Sequence, residues 1–287
     1  LAAGEKYGTL PIPKREGYTF DGWYTSPYSY FATKVSADTV MGSFNVTIYA
    51  HWTENVKTYT VKYNGNGNTG GSTASSTHTV GVAKNLTANG FTRTGYAFAG
   101  WNTSANGNGT SYADKESVKD LSTTNGATVT LYAKWTPREY QLTMNPNGGA
   151  FADGNTNAKT LSPNLIYDGT NWHNVSSNTV SRTGYTFDGW YDKATGGEKV
   201  YNTDGSCISG TYWKNNTYKY TGNLTVYAHW TAKKYTVTYN SNGGSGSMAT
   251  DTVTYGTAYR TKANQFTKTG YTFVGWNEKA DGTGSDW

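Results

Sequence analysis

The chain repeats itself, and this limits the possible folds more than any other feature of the sequence. The heptad Gly-Tyr-x-Phe-x-Gly-Trp occurs at residues 17–23, 95–101, 184–190 and 270–276, its Trp recurring after 78, 89 and 86 residues. A second pattern, an aliphatic residue followed by Tyr-Ala-x-Trp-Thr, stands at residues 48–53, 131–136 and 226–231. A third opens at Tyr59, Tyr140 and Tyr235 and runs into Asn and Gly by residues 65, 149 and 244. In the order opening, middle, closing, the chain holds two complete copies, residues 59–136 and 140–231, with linkers of three to five residues. Residues 1–53 have no opening segment and residues 235–287 have no closing one. Self-similarity at this period marks an array of small units, each one supersecondary assembly.

The local pattern within a copy is that of strands. Val129, Leu131, Ala133 and Trp135 alternate with Thr130, Tyr132 and Lys134, as do the matching residues from Val46 and from Leu224. A period of two is that of a strand with one buried face. The openings alternate too (Tyr59, Val61, Tyr63), and their Asn-Gly ends suit a turn with positive φ. The Gly before each Trp suggests a bulge or a close backbone approach. Composition agrees: 48 Thr, 25 Tyr and 10 Trp stand against nine Leu, so β-branched and aromatic side chains outnumber helix formers. The expectation is a predominantly β chain, with helix confined to a short stretch near residues 113–121. Aromatics at 15% and a net charge of only +5 argue against a disordered linker.

Most chemistries are excluded by the same inspection. No basic run exceeds Lys14-Arg15 or Lys233-Lys234, so nucleic acid is not an expected partner. The single Cys207 allows neither an internal disulfide nor a Cys-based zinc site and reads as an idle thiol. No apolar run in this segment reaches the roughly 18 residues of a membrane span. Asp21 and Asp188 lie inside the middle pattern, but their places are taken by Ala99 and Val274 in other copies, so they read as exposed strand residues. His51 and His229 share their slot with Lys134, which suits a solvent-facing position better than a metal ligand or general base. His78 and His173 stand alone, and Asp153-Gly154, Asp204-Gly205 and Asp281-Gly282 read as turns. No catalytic, cofactor-binding or metal-binding residue is assigned, no cofactor is expected, and the chain reads as no enzyme. Trp23, Trp101, Trp190 and Trp276 read as core rather than as a sugar-stacking platform, because a small β unit depends on each large apolar group for burial. Tyr49, Tyr132 and Tyr227 alternate outward and are the candidate ligand-binding residues.

Gly-Tyr-Thr-Phe-Asp-Gly-Trp-Tyr at residues 17–24 and 184–191, combined with a closing Tyr-Ala-His/Lys-Trp-Thr, resembles the Listeria/Bacteroides repeat, also called the internalin B-repeat, over essentially the whole chain. The resemblance implies an α+β, predominantly β fold of tandem ubiquitin-like β-grasp units, found in bacterial surface or secreted proteins. It implies no catalytic site, since the shared residues are scaffold aromatics and glycines. The expected role is a non-catalytic, extracellular stalk, spacer or fibre element in adhesion. Its partners would be neighbouring repeats or copies of itself, with strand addition at the open end units. The alternative is a module that binds glycans or a host surface protein. Departures from the pattern, an insertion near residues 155–178 and Pro27 and Phe31 in the first copy, are where copy-specific contacts are expected.

Overall fold

The computed structural model describes residues 1–169 and 175–287; His173 and part of the 155–178 insertion lie outside the described residues. The chain forms two compact units, residues 1–93 with 98–135, and residues 94–97 with 136–287.

Each complete copy is built on a five-stranded mixed sheet with the same strand order. In the second copy the order is Ser76–Thr79, Thr58–Asn64, Thr128–Pro137, Tyr96–Asn102, Ser111–Tyr112. In the third it is Lys159–Thr160, Leu142–Asn145, Leu224–Ala232, Tyr185–Tyr191, Lys199–Tyr201. The opening and closing strands are therefore central neighbours, and they run parallel, with Leu131 opposite Tyr63 and Val226 opposite Met144. A parallel pair needs a long crossover. Here the rest of the copy supplies it, so the pair closes only when the whole copy has folded. In the first unit Lys34–Val35, Tyr18–Tyr24 and Tyr49–Glu54 make a further three-stranded sheet, and in the second Lys234–Val237 pairs with Asp251–Thr254.

Strand alternation decides what is buried. Leu131 and Ala133 are fully buried, as are Val226 and Ala228, while Tyr132 and Tyr227 between them are half-buried on the other face. Trp101 and Trp190 are at most 1% exposed and sit at the centre of their clusters. Phe98 and Phe187 meet them edge-on at 4.9 and 5.4 Å. A bulge sets each Trp into the core: the pairing slips between Phe187 and Gly189, whose φ is +127°, and a Cβ there would lie 2.7 Å from the Tyr201 carbonyl oxygen. The same slip occurs between Phe20 and Gly22. Asp188 and Asp21 point away and accept hydrogen bonds from Thr231 and Thr53 at 2.7 and 2.8 Å.

Residues 113–121, where the sequence suggests a short helix, hold none. Lys115 takes φ +59°, which ends any right-handed turn, and Ser117–Val118 pairs with Lys84–Asn85. Only Val118 and Leu121 face the core there, too few apolar groups for a helical stripe. The one helical element among the described residues is the single 3-10 turn Ser29–Phe31. In the third copy a hairpin of Trp213–Lys214 and Thr217–Tyr218 turns at Asn215 and Asn216, both at positive φ, and adds Trp213 and Tyr218 to the core.

The Asn-Gly turn after each opening strand fastens the parallel pair. Asn66 takes φ +45°, and its Nδ2 donates to the carbonyls of Ala105 (2.9 Å) and Ala133 (3.0 Å). Asn147 repeats this at φ +48°, with Ala194 and Ala228 as acceptors, both at 2.9 Å. The closing Trp ends on the same turn: Trp135 Nε1 donates to the Gly65 carbonyl at 2.9 Å and Trp230 Nε1 to the Pro146 carbonyl at 3.1 Å. Asn147→Ala removes both side-chain bonds, the one to the Ala228 carbonyl being partly buried, a loss of about 1–3 kcal/mol. Denaturant unfolding of the third copy, followed through Trp190 fluorescence, should show it as a lowered midpoint.

His78 is fully buried, stacked on Tyr59 at 5.3 Å, with Nε2 2.9 Å from the Ser76 hydroxyl and Nδ1 without a partner among the described residues. Burial, assisted by the charge of Lys84, holds its pKa below 6.5. The unfolded chain then binds the proton more readily than the folded one, so stability is full above pH 6.5 and falls as pH drops below it. The second copy should melt at a lower temperature at pH 5 than at pH 7.5, and His78→Phe should flatten that dependence.

Candidate functional sites on strand faces and at repeat junctions

The residues that sequence singled out for chemistry occupy structural positions. His51 stacks on Tyr24 at 4.1 Å and His229 on Tyr191 at 3.9 Å. Their Nε2 atoms donate to the carbonyls of Ser26 and Lys193, each at 2.8 Å. In the second copy the slot holds Lys134, whose Nζ donates to Ser111 Oγ at 3.1 Å. The residue after the core Trp explains the exchange. Where it is Tyr, a ring is offered and His covers it. Where it is Asn102, that side chain is fully buried and knots the following loop, donating to Gly107, Gly109 and Ser111. No group of three or more His, Cys, Asp or Glu side chains able to hold a metal occurs among the described residues. Cys207 packs against the third copy's core, and burial pushes its thiol up to about 11, away from reactivity at neutral pH.

Of the outward tyrosines, Tyr49 is 37% exposed, while Tyr132 and Tyr227 are half-buried. Tyr49 and Tyr227 lie opposite Tyr24 and Tyr191 as cross-strand pairs. The structure does not gather the three into one surface within a unit; each belongs to its own sheet. More open aromatics stand in the first copy, where Tyr30 and Phe31 of the 3-10 turn are 93% and 86% exposed and Tyr28 is 73% exposed.

A second set of contacts, which inspection of the motifs missed, lies where one copy meets the next. In the second unit the Gly184 carbonyl accepts from Lys233 N (2.8 Å), and the Lys233 carbonyl accepts from Tyr255 N (2.9 Å). The Tyr255 ring then lies on Gly184: a Cβ on that residue, at φ +76°, would be 2.2 Å from it. Tyr185 meets the same ring edge-on at 5.6 Å and 77°, and the Arg182 guanidinium lies 4.0 Å over the Tyr185 ring. Only glycine admits the ring, and only glycine takes this φ without strain.

The same construction recurs in the same unit around Gly95. Its carbonyl accepts from Arg138 N (2.8 Å), the Arg138 carbonyl accepts from Tyr167 N (2.9 Å), and Tyr96 meets Tyr167 at 5.6 Å and 76°. Tyr96 OH adds a 2.9 Å bond to Asp168, which also pairs with Lys219. This explains why residues 94–97 cluster with the second unit. Within the first unit the Gly17 carbonyl accepts from Asn55 N at 2.8 Å, but the linker from Trp52 to Tyr59 is two residues longer and Val80 stands where the other copies have Tyr. A Cβ on Gly17 would meet nothing within 4 Å. The available signal was the Tyr before a glycine turn, in Tyr167-Asp168-Gly169 and Tyr255-Gly256.

Gly184→Ala should displace the Tyr255 ring and free the Lys233 backbone, raising the rate of tryptic cleavage after Lys233 by roughly tenfold for each 1.4 kcal/mol of closure lost. Gly270→Ala is the control, since φ is +80° there and nothing lies within 4 Å of the added carbon. It carries the backbone strain without the ring and should leave cleavage after Lys233 unchanged.

Comparison with known proteins bears on the same features. Two proteins of Evansella cellulosilytica that carry membrane-protein names, one of them Gly-rich, are 27% and 28% identical over 95% and 91% of this chain. Internalin H of Listeria monocytogenes is 35% identical over 37% of the chain. The chain spans 36%, 27% and 16% of the lengths of these relatives. The family model of the Listeria-Bacteroides repeat domain matches residues 1–51, 59–134, 140–229 and 235–287. With four tandem matches covering nearly all of its length, this chain belongs to the Listeria-Bacteroides repeat domain family.

Proposed function

We propose that the chain is a non-catalytic spacer of a bacterial surface or secreted protein, a stalk or fibre element whose job is to hold adjoining parts at a set distance. The observation that carries this reading is the repeated Gly–Tyr clasp: Gly184 with Tyr255, and Gly95 with Tyr167, close with the same hydrogen bonds and the same ring geometry. A connection rebuilt identically at two places is what a spacer of fixed geometry requires, whereas a flexible tether needs no such contact. The order second, opening, closing, middle, fourth strand with a parallel centre supports the reading of each copy as a ubiquitin-like β-grasp unit. The membrane-protein names of two relatives and the internalin match support an extracellular location at the cell surface.

The test is the spread of distances between the third and fourth copies. Spin labels at Thr195→Cys and Ser247→Cys, both exposed, in a Cys207→Ser background should give a narrow distribution by pulsed electron resonance. Tyr255→Ala should broaden it. A distribution already broad in the parent chain would remove the spacer reading.

A second reading, binding of a glycan or a host protein, draws on the open aromatics Tyr28, Tyr30 and Phe31. Flat rings exposed on a turn can stack on sugar faces or insert into an apolar partner surface. Under this reading a paired Tyr30→Ala and Phe31→Ala substitution abolishes saturable binding to a glycan array while leaving the melting temperature unchanged.

A further inference from the structure

We propose that Asn66 and Asn147 are latent sites of self-modification: each is kept from deamidating while its copy is folded and turns into a carboxylate once the copy opens, so that an opened copy does not refasten. The side-chain nitrogen that fastens the parallel strand pair is the atom that deamidation expels. Asn66 Nδ2 donates to the Ala105 and Ala133 carbonyls at 2.9 and 3.0 Å, and Asn147 Nδ2 to the Ala194 and Ala228 carbonyls, both at 2.9 Å. Each Asn is followed by a glycine, whose backbone nitrogen, with no side chain beside it, is the least hindered nucleophile for the reaction.

The turn itself imposes the reactive pair. Asn66 and Gly67 take φ +45° and +86°, and Asn147 and Gly148 take +48° and +84°. Two successive positive φ values are met by Asn-Gly at little steric cost. In the reaction the Gly148 nitrogen attacks Asn147 Cγ, the Cγ–Nδ2 bond breaks, and ammonia leaves with the proton that the glycine nitrogen gives up. Water then adds to the succinimide ring and opens it to aspartate or isoaspartate. Water is the only co-reactant. In the folded copy the amide must first surrender both bonds of Nδ2, so the reaction runs through the small fraction of molecules in which the turn is open. In an opened copy nothing holds the amide back.

The product cannot do what the asparagine did. An ionised carboxylate only accepts, and it would face the same two carbonyl oxygens, which also only accept. Isoaspartate in addition lengthens the backbone inside the turn, next to the Gly65 and Pro146 carbonyls that receive the closing Trp indoles at 2.9 and 3.1 Å. Both anchors of the closing strand are damaged by one event. Asn108 is the contrast within the same chain: it also precedes a glycine, but it is exposed and its side chain has no hydrogen-bond partner among the described residues. This proposal does not depend on the spacer reading, which the distance measurement tests separately.

The experiment incubates the whole 287-residue chain at mildly alkaline pH, in native buffer and in unfolding urea, and follows aspartate and isoaspartate at each Asn-Gly pair by peptide mapping with fragmentation. In urea Asn66, Asn108 and Asn147 should react at similar rates. In native buffer Asn108 should react at least about tenfold faster than Asn66 and Asn147, with a further factor of about ten for each additional 1.4 kcal/mol needed to open the turn. Chains modified at Asn147 and transferred out of urea should show a lowered denaturant midpoint, and so should Asn147→Asp at neutral pH. The rate comparison is made on the parent chain and needs no variant to fold. Equal rates at the three sites in native buffer would mean that folding at large, and not the fastening bonds, sets the protection, and would overturn the proposal. Recovery of the parent midpoint by the modified chain or by Asn147→Asp would overturn it as well.

Discussion

One buried indole and one parallel strand pair carry each complete copy. A unit of this size has few large apolar groups, and the Trp in Gly-Tyr-x-Phe-x-Gly-Trp is one of the largest; in the complete copies it is closed off from water. Its burial requires the closing strand, because that strand's aliphatic and alanine residues roof the ring. The closing strand in turn requires the opening strand beside it and the Asn turn that bonds to its alanine carbonyl. Core, ladder and turn are therefore one cooperative object.

Conserving the scaffold leaves the variation between copies to loops, slots and joints. The Tyr or Asn after the core Trp decides whether the neighbouring strand offers His or Lys, by stacking in one case and hydrogen bonding in the other. The third copy spends its extra length partly on the Trp213 hairpin, which enlarges its own core rather than building an external feature. The joints vary as well. A tyrosine on a glycine closes two of them with two backbone bonds and an edge-on ring pair, whereas a longer linker and Val80 leave Gly17 uncovered. The mechanical character of such an array is thus written in single residues outside the repeating motif.

The alternation of the closing segment was legible in sequence because a strand with one buried face has a period of two, and Leu131, Ala133, Val226 and Ala228 are buried as that period requires. The bulge at the Gly before Trp was legible for the same reason, since glycine inside a strand pattern has few other uses. Residues 113–121 misled because local composition there permits a helical turn, while the ladder of Ser117 and Val118 to Asn85 and Lys84 joins residues 32 and 34 positions apart in the chain. His78 looked like an unattached imidazole; its burial against Tyr59 depends on a pairing that no local pattern announces.

By itself the sequence determined the repeat, the family, the predominance of strands and the face of each strand that turns inward, because these follow from short-range periodicity and from residue types that a pleated surface selects. Tertiary structure alone decided which strands are neighbours, that the opening and closing strands run parallel, and that Asn66 and Asn147 fasten that pair. It also decided that Tyr167 and Tyr255 clasp the glycines of the preceding copies. Those are contacts between residues distant along the chain, and their energies depend on distances and angles that exist only once the backbone has closed on itself.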